Sequence, residues 1–425
     1  MTSPFSIPRP SLYRVSLAIR LLTGISLYFA ASLPSASAED FPIASALIDS
    51  ATWAQPGFHA SWIPQRTTTR IAHRIWPRPG SQRGAPLPYP RIFGVQPQVI
   101  SSRFIDGDIR SITLLFLDSG THFGYIPRGN AVQTAKDNQE SFNKLYTMTE
   151  SAVRAGLTQI ATDRPEKITL GSESLLQQEV EIFRTGDLYA RMHKIEDQLV
   201  KVTFFLDAAN AHSWLAPEAR DIKPRDRAPA FEKNVSASDD DVLLNEIPIF
   251  PQGDRAYCGV SALSMAMQYL GLDIDTEDYA AGAGIRYGST RGSNIRETYE
   301  AAGDELGFDV RRQTKFNFER ACKSIDAGIP VLVWRRWSQQ RDYLHTQYAK
   351  RRAKDRTVKL PIVDNNERAL WPDKKAYSHA SVITGYNSKL GEVIFTESWG
   401  EAVRNRRMRV AEMEATCYYT FYISP

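Results

Sequence analysis

The 425-residue sequence predicts an α+β protein, in which a smaller α+β domain precedes a larger mixed domain. Three observations support this class. Two β-prone runs flank a tight turn at 106–108, and apolar residues recur with helical spacing between 142 and 160. A helix that begins at Cys258 is followed, much later in the chain, by a second β-hairpin over residues 380–396.

Composition excludes several classes of protein. With 42% hydrophobic and 24% charged residues, the chain is too apolar for wholesale disorder and too charged for a membrane bundle. The formal charge is +4, but three arginines and no acid lie within residues 1–38, so the remainder carries only +1. This near-balance provides no electrostatic argument for a nucleic-acid partner.

Residues 1–38 have the pattern of a secretory signal peptide. A basic stretch ends at Arg20, an apolar run covers 21–33, and the small-x-small sequence at 36–38 predicts cleavage before Glu39. The alternative is an uncleaved anchor helix, but 13 residues rise only about 20 Å, against a hydrocarbon core of ~30 Å. We therefore expect a protein that is secreted or periplasmic, with no integral membrane segment after signal removal.

Residues 39–91 are rich in proline and arginine and are predicted to be irregular, because proline at this density prevents a continuous helix or a central strand. Two interpretations remain open: a solvated linker or a strap over the next domain, or instead a binding motif. They differ in whether Trp53, Trp62 and Trp76 are buried.

Residues 92–215 are predicted to form the smaller α+β domain. A hairpin joins strands at Val99–Ile105 and 109–117, a helix follows near 142–160, and another strand covers 199–206. The histidines of this region have no metal-ligand spacing, and no chemistry is predicted there. Residues 216–245 are charged and contain proline, which predicts a linker, and residues 246–425 form the second domain.

Cys258 has the most distinctive surroundings of the three cysteines. Apolar residues recur at three and four positions after it, and Gly271 is a natural helix stop, so Cys258 lies at a helix N-terminus. The positive end of the helix dipole favours the thiolate, which is the nucleophilic form. Gln252 could supply an amide donor for a developing oxyanion. The alternative is a small buried hydrophobic residue, the usual environment of a free cysteine.

The downstream sequence favours the reactive interpretation. His379 begins a β-prone segment, and Glu397 ends the following one, over residues 391–396. If these strands pair through the turn at 387–390, His379 and Glu397 lie together at one end of the hairpin. The carboxylate can then hold one imidazole nitrogen while the other faces the thiol.

The ordered set Gln252, Cys258-Gly, His379-Ala-x-x-x-x-Gly-Tyr and Ser398-Trp399-Gly400 resembles the papain-like cysteine peptidase superfamily. The sequence around Cys258 is most similar to its bacteriocin-leader (double-glycine) peptidase branch. The resemblance covers about 180 residues, roughly 247–425. It implies a papain-like C-terminal domain, with the helix of the nucleophile packed on an antiparallel sheet. It also implies that Cys258 is the nucleophile, His379 the base and Gln252 the oxyanion-hole donor, acting on peptide or protein substrates.

Glu397 departs from the pattern of the superfamily, where Asn or Asp commonly precedes Ser-Trp-Gly. A second hypothesis is therefore a non-catalytic binding or structural protein on a peptidase-like scaffold. A cell-wall amidase or a transamidase would use the same Cys-His pair, so these alternatives remain open. No zinc-peptidase, nucleotide-binding or serine-hydrolase motif is present, so we expect no metal or other cofactor.

Two further features of this domain allow two interpretations each. The basic insertion at 338–376 is either a solvated face or a flap over the cleft that selects acidic substrates. Cys322 and Cys417 either form a disulfide in the exported protein or are separate buried thiols.

Overall fold

The computed structural model describes residues 43–63, 70–78, 88–124, 131–285 and 294–425, with only the backbone described for 131–137. The predicted signal peptide at 1–38 lies outside these residues. None of the helices in the described ranges has the length and apolar content needed to cross a membrane.

An antiparallel sheet forms the centre of the N-terminal half. Its described strands are β1 Ile71–Ile75, β2 Val99–Ile105, β3 Asp108–Asp118, β4 Glu166–Leu170, β5 Gln178–Thr185, β6 Leu188–Ile195 and β7 Leu199–Phe205. They lie in the order β1-β2-β3-β7-β6-β5-β4. The predicted hairpin between β2 and β3 is confirmed. Asp106 and Gly107 have φ angles of +54° and +92°, as the tight turn between twisted strands requires.

The helices of this half lie over and around the sheet. They are α1 Ile43–Ala46, α2 Pro56–Ser61, α3 Ser119–Phe123, α4 Ala131–Ile160 and α5 Ala208–Ala211, with a 3₁₀ helix at Ser50–Ala54. The predicted helix is α4, whose Phe142, Val153 and Leu157 are fully buried. Leu145 and Met148, which fitted the same periodicity, are exposed. The buried face of α4 is thus narrower than the sequence pattern suggests.

The prediction of an irregular segment at 39–91 is wrong in part. The described residues of this segment contain α1, α2 and β1, and Trp53, Trp62 and Trp76 are buried in the core of the N-terminal sheet. The segment is therefore a strap and not a solvated linker. Proline does not prevent β1, because residues 71–75 contain none and the strand lies at the sheet edge, where only one neighbour is needed.

A second arrangement of antiparallel strands forms the C-terminal half. Its strands are β8 Val235–Ser238, β9 Asp241–Leu244, β10 Asp309–Gln313, β11 Val331–Trp337, β12 Tyr377–Asn387, β13 Glu392–Thr396, β14 Arg406–Arg409 and β15 Cys417–Ser424. The main order is β10-β15-β11-β12-β13-β14, and β9 pairs with both β8 and β12. The pairings given for these strands are all antiparallel.

The helices of this half complete the α+β architecture. They are α6 Pro217–Arg220, α7 Pro224–Glu232, α8 Cys258–Leu270, α9 Thr276–Gly282, α10 Ile295–Leu306, α11 Phe318–Asp326, α12 Gln339–Lys354, α13 Asn365–Ala369 and α14 Val410–Thr416, with a 3₁₀ helix at Glu401–Val403. Helix α8 packs on β11 and β12. The predicted class, with a helix beginning at Cys258 packed on an antiparallel sheet, is confirmed.

The linker predicted at 216–245 is instead part of the C-terminal half. It contains α6, α7, β8 and β9, and β9 extends the sheet by pairing with β12. Asp241, part of its acidic run, is buried and accepts hydrogen bonds from Asn387 at 2.7 Å and from Arg407. The linker prediction failed because local composition does not distinguish a solvated aspartate from one whose partner lies 146 positions away.

The two halves are joined by apolar contacts and by buried ion pairs. Lys201 of β7 contacts Asp275 at 2.8 Å and Asp278 at 2.6 Å, and His193 of β6 lies 2.7 Å from Asp278. Removing either partner would leave a charge uncompensated in the interior. The N-terminal sheet is therefore held in a fixed position against α9.

Candidate active site

Cys258 is the first residue of α8, as the sequence predicts. The preceding residue, Tyr257, is buried, and Gly259 leaves no room for a side chain because an added Cβ would lie 2.5 Å from the Trp334 ring. A helix N-terminus presents unpaired N–H groups and a partial positive charge. This position stabilises a negative charge on the Cys258 sulfur.

His379 and Glu397 meet at the end of the β12–β13 hairpin. His379 lies in β12, Glu397 immediately follows β13, and the imidazole Nε2 is 2.6 Å from Glu397 Oε2. His379 is 4% exposed and Glu397 is fully buried. Because Nε2 is engaged by the carboxylate, Nδ1 is the nitrogen left for the thiol.

The thiol and the imidazole change each other's pKa. Burial raises the pKa of Cys258. Its hydrogen bond with His379, the charge of that ring and the Ala380 backbone amide lower the pKa by more than burial raises it, so the pKa lies below the ordinary thiol value. Burial lowers the pKa of His379, but the Glu397 charge and the bonds to Cys258 and Glu397 raise it to about 9. Both shifts favour a thiolate–imidazolium pair near neutral pH.

Aromatic side chains enclose the imidazole. The Trp399 ring is stacked on His379, with centroids 4.4 Å apart and an interplanar angle of 29°. Trp337 packs edge-on against Trp399 at 5.7 Å. These rings restrict the orientation of the imidazole and limit the access of water to its bond with Glu397.

Gln252 lies beside the residue that follows Glu397. Its backbone N–H donates to the Ser398 carbonyl at 2.8 Å, and its Oε1 accepts from Ser398 Oγ at 2.7 Å. One side-chain N–H donates to the Arg255 carbonyl at 3.0 Å. This network fixes the amide within the loop before Cys258. Since an amide has two N–H donors, the second can serve another acceptor.

The sequence analysis missed two charged residues behind Glu397. Arg335 of β11 is 1% exposed and donates to Glu397 Oε1 at 2.6 Å and to Asp342 Oδ1 at 3.1 Å. Ser381 donates to the same Glu397 oxygen at 3.0 Å. Burial raises the pKa of Glu397, but the charges of His379 and Arg335 lower it by more than burial raises it. The carboxyl group is therefore ionised. The sequence contains one signal for this role: Arg335 directly follows the apolar run 331–334 and belongs to the same strand.

The insertion at 338–376 is not simply a solvated face. Helix α12 buries Arg341 and Arg352, while Arg351 and Lys354 are exposed. Arg341 Nε donates to Glu412 of α14 at 2.6 Å, so this part of the insertion packs on α14 through an ion pair. The prediction of a solvated face holds for the outer side of α12 and for much of the segment after it, where Arg356, Lys359 and Lys374 are exposed. Selection of acidic substrates by a flap stays a prediction.

The N-terminal half contributes a contact to the loop of Cys258. The Tyr257 hydroxyl donates to Asp118 Oδ1 at 3.1 Å, and Arg255 lies 3.6 Å from the other oxygen of Asp118. A cleft of about 430 Å³, lined by both halves, includes Gln252 and Arg255. No chemistry was predicted for this half, but its carboxylate holds the residue next to Cys258.

Cys322 and Cys417 are separate free thiols. Burial raises the pKa of Cys322 to about 12 and that of Cys417 to about 11. Of the three cysteines, Cys258 is therefore the one whose pKa is shifted towards reactivity. Among the described residues, no group of three or more His, Cys, Asp or Glu side chains is arranged so that it could hold a metal ion.

The C-terminal half of the chain is similar to a known protein family. Residues 244–422 match the model of the family described as "Peptidase_C39 like family". A C39-like peptidase structure from Bacillus anthracis is 16% identical, with 44% of this chain and 98% of that chain covered and a TM-score of 0.28. The peptidase domain of Streptococcus ComA, a bifunctional ABC transporter of a quorum-sensing pathway, is 14% identical, with 42% and 97% covered and a TM-score of 0.26.

No curated protein sequence matches the chain significantly. The family match confirms the resemblance to a papain-like cysteine peptidase branch for residues 244–422 and supports a peptidase.

Proposed function

We propose that this chain, whose residues 244–422 match the C39-like peptidase family, is an exported cysteine peptidase that cleaves peptide bonds through a Cys-His pair. The observation that carries the proposal is the series of contacts from the half-buried Cys258 through the buried His379 to the buried Glu397. It combines a thiol of lowered pKa with a base whose orientation is fixed by a carboxylate.

The proposed reaction begins when the Cys258 thiolate attacks the carbonyl carbon of the substrate. Gln252 and the backbone N–H groups at the start of α8 would stabilise the oxyanion of the tetrahedral intermediate. The His379 imidazolium then gives its Nδ1 proton to the leaving amine, which leaves an acyl-enzyme. His379 next takes a proton from water, and the resulting hydroxide attacks the thioester carbonyl. The Cys258 thiolate leaves, which releases the acyl group as a carboxylic acid and restores the thiolate–imidazolium pair.

Glu397 can orient the imidazole in this reaction because Arg335 compensates part of its negative charge. A carboxylate beside the imidazole favours the protonated ring more strongly than an amide would, since it adds a full negative charge. Arg335 contacts the other carboxylate oxygen at 2.6 Å, which places a compensating positive charge on the far side. Glu397, which stands where the superfamily commonly has Asn or Asp, thus occurs together with Arg335, a residue that is not part of the superfamily motif.

Selective alkylation tests the pair directly. At pH 6, iodoacetamide is expected to modify Cys258 faster than an ordinary thiol, because its pKa is lowered by His379. Peptide mass spectrometry of the full chain measures the labelling at each cysteine. Cys322, whose pKa is raised to about 12, is the internal control.

The same measurement on His379→Ala should remove the preference for Cys258 while the variant remains folded. If Cys258 of the wild-type protein is labelled no faster than an ordinary free thiol, the result would instead support a non-catalytic scaffold.

Export through residues 1–38 belongs to the same proposal and rests on the sequence pattern alone. N-terminal sequencing of protein recovered from the periplasm or the medium of the native host should begin at Glu39. Recovery of the full chain from the cytoplasm, with Met1 or Thr2 at its N-terminus, would contradict export without affecting the proposed reaction.

A further inference from the structure

A groove of about 330 Å³ lies between α12, β9 and the segment that leads into β14. We call it the basic groove. One carboxylate, Asp241, lines it together with six cationic side chains, which are Lys350, Arg352, Arg356, Arg404, Arg406 and Arg407. This composition differs from that of the chain as a whole, in which acids and bases nearly balance.

The shape of the basic groove leaves space beside these cations. Thr346, Ala349 and Ala353 form its α12 wall, at a spacing that places small side chains on one face of the helix. The arginines of the strand side stand opposite. A ligand there would meet hydrogen-bond donors on one side and small side chains on the other.

Two buried arginines of the groove have unused donors. Arg352 and Arg406 are each 5% exposed, and the Nε–H of neither finds an acceptor within the described part of the chain. Their positions are nevertheless fixed. Arg352 Nη1 donates to the carbonyls of Arg356 and Val358 at 2.8 Å each, and Arg406 Nη1 donates to Asp342 at 2.8 Å. A buried N–H without an acceptor is costly, and an anionic ligand would supply one.

Each arginine of the groove has an acidic partner, but three of them share the single carboxylate of Asp241, namely Arg407, Arg356 at 3.6 Å and Arg352 at 4.0 Å. Arg407 bonds to Asp241 and lies 3.3 Å from Glu392, and Arg404 bonds to Glu401 at 2.7 Å. Lys350 is exposed at the groove. Guanidinium groups bind planar or tetrahedral oxygen anions through paired hydrogen bonds.

We propose that the basic groove is a binding site for an oxyanion, namely a phosphate or carboxylate group. The group is either a small free anion or part of an acidic stretch of polypeptide. Arg352, Arg406 and Lys350 are its main ligands. Cys258 does not line this groove, although Arg406 lies 4.0 Å from Glu397, and the proposal does not depend on the proposed peptidase activity.

Calorimetric titration of the full chain with inorganic phosphate, and separately with a pentaglutamate peptide, tests the proposal at constant ionic strength. We expect one site per chain with a dissociation constant below about 1 mM for at least one probe. Binding of phosphate identifies a small-anion site, and binding of the peptide alone identifies an acidic polypeptide segment.

Two variants place a carboxylate in or at the groove. Ala353→Glu and Lys350→Glu alter exposed positions, and each should weaken binding about tenfold or more, which corresponds to 1.4 kcal/mol. Lys374→Glu makes the same charge change as Lys350→Glu at an exposed position outside the groove and should leave binding unchanged. Absence of binding by both probes, or equal weakening in Lys374→Glu, would overturn the proposal.

Discussion

Replacing Cys258 by alanine is expected to abolish peptide hydrolysis, with a loss of about 10⁴-fold or more in kcat. The reason is that the acyl-enzyme cannot form without the sulfur, and no other described thiol lies at a helix N-terminus beside a histidine. The measurement is hydrolysis of fluorescent casein by the folded wild-type protein and the variant at equal concentration. Unchanged hydrolysis by Cys258→Ala would contradict the proposed reaction.

His379→Ala should lose a similar factor, and the double variant should lose little more. Groups that act as a unit in catalysis give strongly non-additive losses. Parallel assays with peptidoglycan and with amine donors separate the peptidase from a cell-wall amidase or a transamidase, since all three would use Cys258 and His379. A wild-type protein inactive in every assay would favour the binding scaffold.

Replacing Arg335 by methionine is expected to lower the free energy of unfolding by about 3–5 kcal/mol. Arg335 is buried between Glu397 and Asp342, at 2.6 and 3.1 Å. Methionine fills much of the volume but removes one of the two arginines of Asp342 and leaves Glu397 with Arg406 at 4.0 Å as its nearest arginine. Urea unfolding at pH 7, followed by tryptophan fluorescence, measures the change. The midpoint should fall while the slope stays constant.

The neighbouring residue provides a matched control for this substitution. Arg336 lies in the same strand but is less buried, and its bonds to the Ala376 carbonyl and Ser378 are 3.3 and 3.4 Å long. Arg336→Met should cost less than about 1 kcal/mol, and Arg335→Lys should lie between the two. Equal losses in Arg335→Met and Arg336→Met would show that the buried network does not stabilise the fold.

The sequence predicted the elements whose causes lie within a few residues. The turn at 106–107 follows from residues that tolerate a positive φ, and α8 begins at Cys258 and ends where Gly271 adopts a φ of +103°. The short turn after β12 brings His379 and Glu397 together, because paired strands must place their outer ends side by side. Each of these depends on local backbone geometry or on a short loop.

The sequence did not predict the residues that support this site. Arg335 and Asp342 belong to segments whose charge suggested exposure or gave no signal, and Asp118 is 139 positions from the tyrosine it binds. The composition of 216–245 predicts a linker for the same reason, because its charged residues give no sign of their buried partners. A charged side chain has the same composition signal whether it is solvated or buried against a partner, and only the fold decides which partners are present.

The order of residues in the chain thus determined where the helix of Cys258 starts and which histidine and carboxylate share a hairpin, since short-range backbone constraints set both. The tertiary structure alone decided how the Glu397 charge is balanced, which half holds the loop before Cys258 and where the cations of the basic groove converge. These depend on contacts between distant segments, because a buried charge is stable only where the fold supplies its counter-charge or hydrogen-bond partner.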